Sequence, residues 1–525
     1  MRKNKFILRF MLCLVCMTGV SCVFYSTHVG ELSWQDLQTA KDFTTNTPSK
    51  AHLIDGSVVI FPFGFELKEK ALRGRKAKSF QKGDFLRKQW VGVTQVPLDS
   101  VAGLEYYQNK FQPLPFLASL PAVTVGSIYI YKAIFGSCPT IYSYDGEEYT
   151  LEAEAFSYSI APRFENDDLD RLESGKTFDG EYRLKVANEA LETHYLNSMA
   201  LLAVDHAEGF EAFPSTDREI VLFGKESALL SATSKSGDEV AGLVSSRDSR
   251  WYQSDSLLVA QLTREVTQDW IDIKVNIPRG ARRMAVALRL RNTLMNTVLL
   301  YDVMLQAQGI AAMDWLGSET SDLLYAWRLS NWYKKHFGLR IQLFDGRKFE
   351  DVARIGDSGP IAWHQTAVEL PVPKSEVAQL RFAFLPDNWA IDWIGVSFDG
   401  NDDYRAKTVL CSEMVDRNGT SRNDLLALFE KKDDRYLITY PGDYYLLKFR
   451  AAPAPEGQRR TCFVKSRGFY IEWLRREWLT KNPGERQRFE LNDQAIKQTA
   501  QLWLAKKQRF EQEFFASKIA HEGGN

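Results

Sequence analysis

Histidine and cysteine are scarce in this chain, at 7 and 6 of 525 residues. The histidines (His28, His52, His194, His206, His336, His364 and His521) are scattered, with no HExxH run and no paired Cys/His spacing. The zinc and iron signatures that can be written in sequence are therefore missing. Also missing are a G-x-S-x-G elbow, a P-loop and a G-x-G-x-x-G before a helix. Net charge is nearly absent: 66 Lys and Arg against 67 Asp and Glu leave -1, so no global field recruits nucleic acid, and no nucleic-acid partner is expected. These absences lean away from an enzyme. A hydrolase with a site assembled from distant carboxylates stays open as a third reading, because such pairs leave no linear spacing.

What is present begins at the N-terminus. Arg2, Lys3, Lys5 and Arg9 lead an apolar run from Phe10 to Val20, and Ser21-Cys22 closes it. This is the layout of an export signal over residues 1–22, too short to persist as a spanning helix. A cysteine after a small residue at this place is where exported lipoproteins are cleaved and acylated, so Cys22 is the candidate lipidation site. Gly19 stands where a Leu-like residue is preferred, which keeps simple secretion, with a soluble periplasmic or secreted product, as the alternative. The expectation is an exported bacterial protein anchored through lipid at a membrane face, periplasmic or outer. Of the remaining cysteines, Cys13 and Cys16 would leave with the signal. Cys138, Cys411 and Cys462 allow at most one bridge, Cys411 with Cys462 in the same C-terminal region, against the alternative of three buried thiols.

Length points to several domains, since single cores stop growing at roughly 250–300 residues. The expected class is mainly β and multidomain: a small Sm- or SH3-like barrel, antiparallel β-sandwiches and a C-terminal helix. Residues 23–50 are polar and read as a tether. Residues 51–110 hold short alternating strands with Gly turns and read as the small barrel. Residues 111–137 form an apolar connector, in which 114–131 carry no charge but include Pro115 and Pro121; a buried segment is favoured over a membrane span. Residues 138–310 read as a β-sandwich, with clean alternation at Gly180–Val186 and a hairpin at Asp145-Gly146. Residues 406–480 read as a β-hairpin region, and 481–525 as an amphipathic helix with Ile496, Ala500, Trp503, Phe510 and Phe514 on one face.

Four further patterns bear on chemistry. Glu165-Asn166-Asp167-Asp168-Leu169-Asp170 is the densest acidic run. Calcium takes about six to eight oxygens, so Glu165, Asp167, Asp168 and Asp170 are candidate ligands for a structural calcium, the one cofactor considered, with a solvated acidic turn as the alternative. Asp399-Gly400-Asn401-Asp402-Asp403 is a second such tract. His194 and His206 flank one strand near Glu192 and Asp205, either as an acid–base group or as polar turn ends. Basic residues crowd 68–88, which suits a solvated hairpin or contact with anionic headgroups.

Residues 311–405 run "strand, Asp345-Gly346, aromatic, strand, Trp389-Ala390-Ile391-Asp392-Trp393-Ile394-Gly395-Val396". This resembles a galactose-binding-type jelly roll. Such a fold often binds sugars, so Trp327, Trp332, Tyr333, Trp363 and Trp389 are candidate glycan-stacking rings, with burial in the core as the alternative. Two other stretches, Phe135-Gly136-Ser137-Cys138-Pro139-Thr140-Ile141-Tyr142 through Glu152-Ala153-Glu154-Ala155-Phe156, and Asn188-Glu189-Ala190-Leu191-Glu192-Thr193-His194-Tyr195, resemble an uncharacterised group of exported bacterial proteins, many of them lipoproteins. That group brings no activity, ligand or catalytic residue with it. The resulting expectation is an envelope protein acting as a binding or structural module, with membrane, glycans or other envelope proteins as partners. A carbohydrate-binding or carbohydrate-processing surface protein is the alternative.

Overall fold

Alternating sequence becomes strand through most of the chain. The computed structural model describes residues 25–33, 42–47, 49–53, 57–80, 91–111, 138–174, 177, 180–190, 192–320, 322–356, 358–433, 435–439, 443–472, 478 and 488–517. The signal with Cys22 and the uncharged stretch 114–131 lie outside these. The fold is mainly β, with several antiparallel sheets, a barrel-like sheet and a C-terminal helix. Among the described residues, no helix is long and apolar enough to cross a membrane.

The chain forms two units. The first is built on residues 1–81 and 89–130 with 474–480. Its strands are β1 (Tyr25–Ser33), β2 (Phe43–Thr45), β3 (Ser49–Leu53), β4 (Val58–Phe61), β5 (Phe65–Lys68), β6 (Ala71–Phe80), β7 (Val91–Pro97) and β8 (Val101–Phe111). They make one barrel-like sheet in the order β1-β8-β3-β4-β6-β5-β2, with β7 on β6. β5 shows the logic: Phe65 and Leu67 are buried while Glu66 and Lys68 are exposed. The tether expected over 23–50 is corrected, since β1 pairs along β8 from Tyr25↔Phe111 to Ser33↔Gly103. A Ser/Thr-rich strand with few large apolar residues reads as linker, yet it pairs with one sheet neighbour along its full length.

The second unit holds residues 131–473 and 481–525 with 82–88. Its first strands are β9 (Thr140–Tyr144), β10 (Tyr149–Glu154), β11 (Asn166–Arg171), β12 (Glu181–Ala187), β13 (Glu192–Ala207), β14 (Glu211–Pro214) and β15 (Ile220–Phe223). Then come β16 (Leu229–Ser234), β17 (Asp269–Asn276), β18 (Met284–Asn292), β19 (Leu339–Phe344), β20 (Phe349–Ile355), β21 (His364–Leu370), β22 (Val377–Phe384) and β23 (Trp389–Ser397). The last are β24 (Tyr404–Val409), β25 (Cys411–Asp416), β26 (Leu437–Thr439), β27 (Tyr444–Arg450) and β28 (Gln458–Glu472).

Pairing divides them differently from their order in the chain. Sheet β10-β9-β12-β27-β25 faces sheet β11-β28-β13-β24 across a core that includes Leu184, Val186, Leu201, Leu447, Phe449 and Val464. Sheet β16-β17-β22-β19-β20 faces β21-β18-β23 across a second core with Ile271, Ile273, Val286, Leu288, Phe382 and Ile391. The second sandwich is thus inserted whole into the first, between β15 and β24. The expected boundaries at 310/311 and 405/406 are corrected accordingly: β16–β18 belong with β19–β23, and the "hairpin region" completes the first sandwich. The turns behave as read. Asp145 Oδ1 accepts from Glu147 and Glu148 N–H at 2.9 Å each, and Asp345 Oδ1 accepts from Arg347 and Lys348 N–H at 2.7 and 2.8 Å.

The hairpin β14–β15 is a wedge between the sandwiches. Phe213, Val221 and Phe223 pack on Ala285, Ala287, Ala367 and Trp393 of the second. Ala212 and Leu222 pack on Leu169, Val204 and Phe463 of the first. β18 and β23 are therefore buried on both faces along their whole length, and the polar Arg289, Arg291 and Asp392 that they carry are buried with them. Gly395 is needed here, since a Cβ would stand 2.2 Å from the Trp393 ring. The C-terminal helix, Asp493–Ser517, packs on the helices Ser256–Leu262, Met295–Val298 and Leu299–Leu305. Ile496, Ala500, Trp503 and Phe510 are buried as expected, and Asn492 Oδ1 caps the helix by accepting from Ala495 N–H at 3.2 Å.

Candidate functional site

The seam between the two sandwiches gathers a cluster of buried charge. At its centre is Arg289 on β18. The ladder slips between Arg289 and Leu290, so β23 carries one extra residue, Asp392, opposite that step. This bulge turns the Asp392 carboxylate toward Arg289 Nη1 at 2.6 Å. Arg289 Nε donates to Glu173 at 2.8 Å, and its guanidinium lies 4.8 Å from the Trp363 ring centre. Gln365 Nε2 also donates to Glu173, at 2.5 Å, and Arg171 Nη1 donates to Gln365 Oε1. Arg171 and Arg247 share Glu211, at 2.7 and 2.9 Å, and both cover the Phe213 ring. Arg247 also lies 3.9 Å from the Trp393 ring centre. Burial pushes the Asp392 carboxyl up, against the pull of Arg289.

The acidic run adds a second cluster at the same seam. It is a strand, not a turn, because alternation sends its carboxylates to two faces. Asp168 Oδ2 accepts from Phe156 N–H at 2.6 Å, and Asp170 Oδ1 stands 3.4 Å from His364 Nδ1. Asp167 pairs with Lys432 at 2.6 Å and Arg467 at 3.4 Å, and Glu165 with Arg467 at 3.2 Å. The four candidate calcium ligands therefore do not converge. Among the described residues, no group of three or more His, Cys, Asp or Glu is placed to hold a metal ion. Burial, then the charge of Asp170, pushes Asp168 up to about 7. His364 is raised: burial opposes its charge, but Asp170 and Asp168 outweigh it.

The two motif stretches meet, and they meet as joints. Glu192 Oε2 accepts from Cys138 N–H at 2.9 Å and from His194 Nε2 at 3.2 Å. Glu189 Oε2 accepts from Thr140 Oγ1 at 2.9 Å and Tyr142 Oη at 2.6 Å. Glu152 takes N–H donors from Glu173 at 2.6 Å and Ser174 at 3.0 Å. Glu154 Oε2 reaches the second sandwich, accepting from Ile361 and Ala362 N–H at 2.5 and 2.9 Å. Its carboxylate fills the place a side chain would take at Gly359, where φ is +76°. His206 turns away to Thr461 Oγ1 at 2.9 Å, and Asp205 pairs with Arg460. Twelve residues of strand separate His194 from His206, about 40 Å, so they form no common acid–base group.

The aromatic candidates also disperse. Trp389 is fully buried, with Nε1 donating to Phe337 O at 2.9 Å. Trp332 is buried against Phe337 and Phe489, and Tyr333 stacks on Phe337 at 5.1 Å. Trp363 is clasped between Arg289 and Arg291. Trp327 alone of the five is an open ring, 64% exposed. The bridge expected between Cys411 and Cys462 is corrected: both are free thiols, as is Cys138. They sit on opposing sheets, Cys411 on an edge strand and Cys462 on an inner one. Burial pushes both thiols up to about 11, which keeps them protonated and inert.

No family model matches the chain, and no curated protein matches it. Among solved structures it has a slight likeness to a GH31 alpha-xylosidase from Xanthomonas citri, at 8% identity and a TM-score of 0.17. That likeness covers 84% of this chain and 32% of that one, so the chain spans about a third of the enzyme's length. A TM-score of this size informs neither fold nor activity.

Proposed function

We propose that this is an exported, lipid-anchored envelope protein that works as a binding or structural module. The observation that carries the reading is how its titratable side chains are used. Glu152, Glu154, Asp168, Glu192 and Arg289 are the groups a reaction would draw on, and each is tied into a joint of the scaffold. Two sandwiches pinned through a wedge present a rigid surface rather than a convergent reactive centre. The leader ending at Cys22 supplies the location. If Cys22 is acylated, more than one chain is added, and at ~0.8 kcal/mol per buried CH₂ that is stable anchoring. Labelled fatty acid is expected in the wild-type chain, which fractionates with membranes. Cys22→Ala is expected to lose the label and leave the membrane fraction. A wild-type chain that takes up no label overturns the anchor.

A second reading, carbohydrate binding, is favoured by Trp327 alone. Its ring is open to solvent beside Leu324, which is 61% exposed one turn earlier on the helix Leu323–Phe337. Retention on an immobilised polysaccharide is expected to fall about tenfold in Trp327→Ala, in line with ~1–3 kcal/mol for a stacking ring. Equal retention removes this reading. Trp332→Ala and Trp389→Ala would report core damage instead.

A further inference from the structure

Five basic side chains line one cavity of about 500 Å³ in the second sandwich: Lys235, Lys335, His336, Arg340 and Arg354, with Trp270 as an aromatic wall. No carboxylate lines it among the described residues. The volume lies within the ~300–1,000 Å³ of small-ligand sites. The residues come from separate elements. Lys235 follows β16, Trp270 is on β17, Arg340 and Arg354 are on β19 and β20, and Lys335 and His336 end the helix Leu323–Phe337.

The charges are placed and only lightly compensated. Lys235 Nζ is held by neutral acceptors, Thr267 Oγ1 at 3.1 Å and Gln268 O at 2.7 Å, and lies 4.9 Å from the Trp270 ring centre. Arg381 covers the same ring at 4.4 Å but is neutralised by Asp272 in a two-pronged pair at 2.7 and 2.8 Å. Arg340 and Arg354 share a single carboxylate, Asp351, at 3.4 and 3.5 Å, while Gln342 Nε2 holds Asp351 more closely at 2.7 Å. Lys335 is exposed and makes no ion pair among the described residues. The helix end beneath it carries about half a negative charge, which a full ammonium outweighs. Two guanidinium forks and two ammonium groups around a cavity match oxyanions, since arginine meets phosphate with two parallel hydrogen bonds and lysine acts as a point charge.

We propose that this cavity binds a small ligand carrying at least two phosphate groups, held by Lys235, Lys335, Arg340 and Arg354. The inference stands apart from the envelope reading and survives or fails without it. The phosphate chemistry has two sources, a free phosphorylated molecule or a lipid headgroup, and the test separates them. The full chain in detergent is titrated with inorganic pyrophosphate and with a hexose bisphosphate, by calorimetry. A parallel arm uses vesicles of phosphatidylcholine with and without cardiolipin, whose headgroup carries two phosphates. Saturable binding of a soluble probe that weakens with salt, or vesicle binding that requires cardiolipin, supports the site and names its source. Lys235→Gln and Lys335→Gln are each expected to weaken binding about tenfold, and the double variant more. Lys348→Gln, outside the cavity, is expected to leave it unchanged. Unchanged urea midpoints show that the variants fold. No binding of any probe at millimolar concentration, or equal binding by the folded double variant, overturns the proposal.

Discussion

Asp392→Ala is expected to lower the unfolding free energy by about 3 kcal/mol, read as a shift of the urea midpoint. The cost does not come from the worth of the ion pair. Taking both charges out of water is expensive, and the upward push on the Asp392 carboxyl is the sign of that expense. The cost comes from what is left behind. The Arg289 side chain is 11% exposed, and without Asp392 it keeps only Glu173, itself 40% exposed, and the Trp363 face. Those two partners place the effect at the lower end of the ~3–5 kcal/mol seen when one member of a buried pair is removed. Asp392→Asn keeps the shape and a hydrogen-bond acceptor, so a smaller loss is expected. The double variant Arg289→Met with Asp392→Leu leaves no orphan charge and is expected to recover most of the stability. If Asp392→Ala unfolds at the wild-type midpoint, the seam is not the joint described. Because the bulge sits between the two cores, loosening it is also expected to broaden the transition as the sandwiches part.

This seam shows where sequence reading stops. Strand identity was legible, because Glu181–Ala187 and Asp269–Asn276 alternate cleanly and one face of each is buried. The Asp-Gly turns and the C-terminal helix face were legible for the same reason: each depends on residues within a few positions. Pairing was not. β12 meets β27 with Lys185 opposite Leu446, and nothing local in either strand names the other. The insertion of one sandwich into the other was therefore invisible, and so were the boundaries. The acidic run misled because its composition is that of a turn while its backbone follows a strand, so four carboxylates that look adjacent serve two faces. The cavity was hidden because its cations come from four separate parts of the chain. The cluster Lys334-Lys335-His336 ending a helix, and Arg340 on the polar face of an alternating strand, were the only traces it left in sequence.

Acidification is expected to destabilise the first sandwich through His194. This imidazole is fully buried, and burial lowers its pKa to about 3, with Glu472 and Asp443 pulling weakly the other way. It is therefore neutral in the folded chain and donates Nε2–H to Glu192. The unfolded chain takes up the proton near pH 6.5, so between about pH 6.5 and 3 the unfolded state binds one proton more than the folded state. Stability is then fully present above the unfolded value and falls as pH drops through this window. The slope is about 1.4 kcal/mol per pH unit, and the accumulated loss is several kcal/mol, on the order of 3–5. Other groups titrate over the same range, so the measurement is a difference. Urea midpoints of wild type and His194→Gln are compared at pH 7.5, 5.5 and 4.5. The amide keeps a donor toward Glu192 but cannot be protonated, so the variant is expected to lose less stability on acidification, by one proton's slope. A wild type that loses less than the variant between pH 7.5 and 5.5 would mean that Glu192 holds His194 as an imidazolium in the folded chain. In that case its stabilising contribution would persist on acidification and fade instead as pH rises. The sign of one difference thus decides whether the joint between the two motif stretches is a neutral hydrogen bond or a buried ion pair.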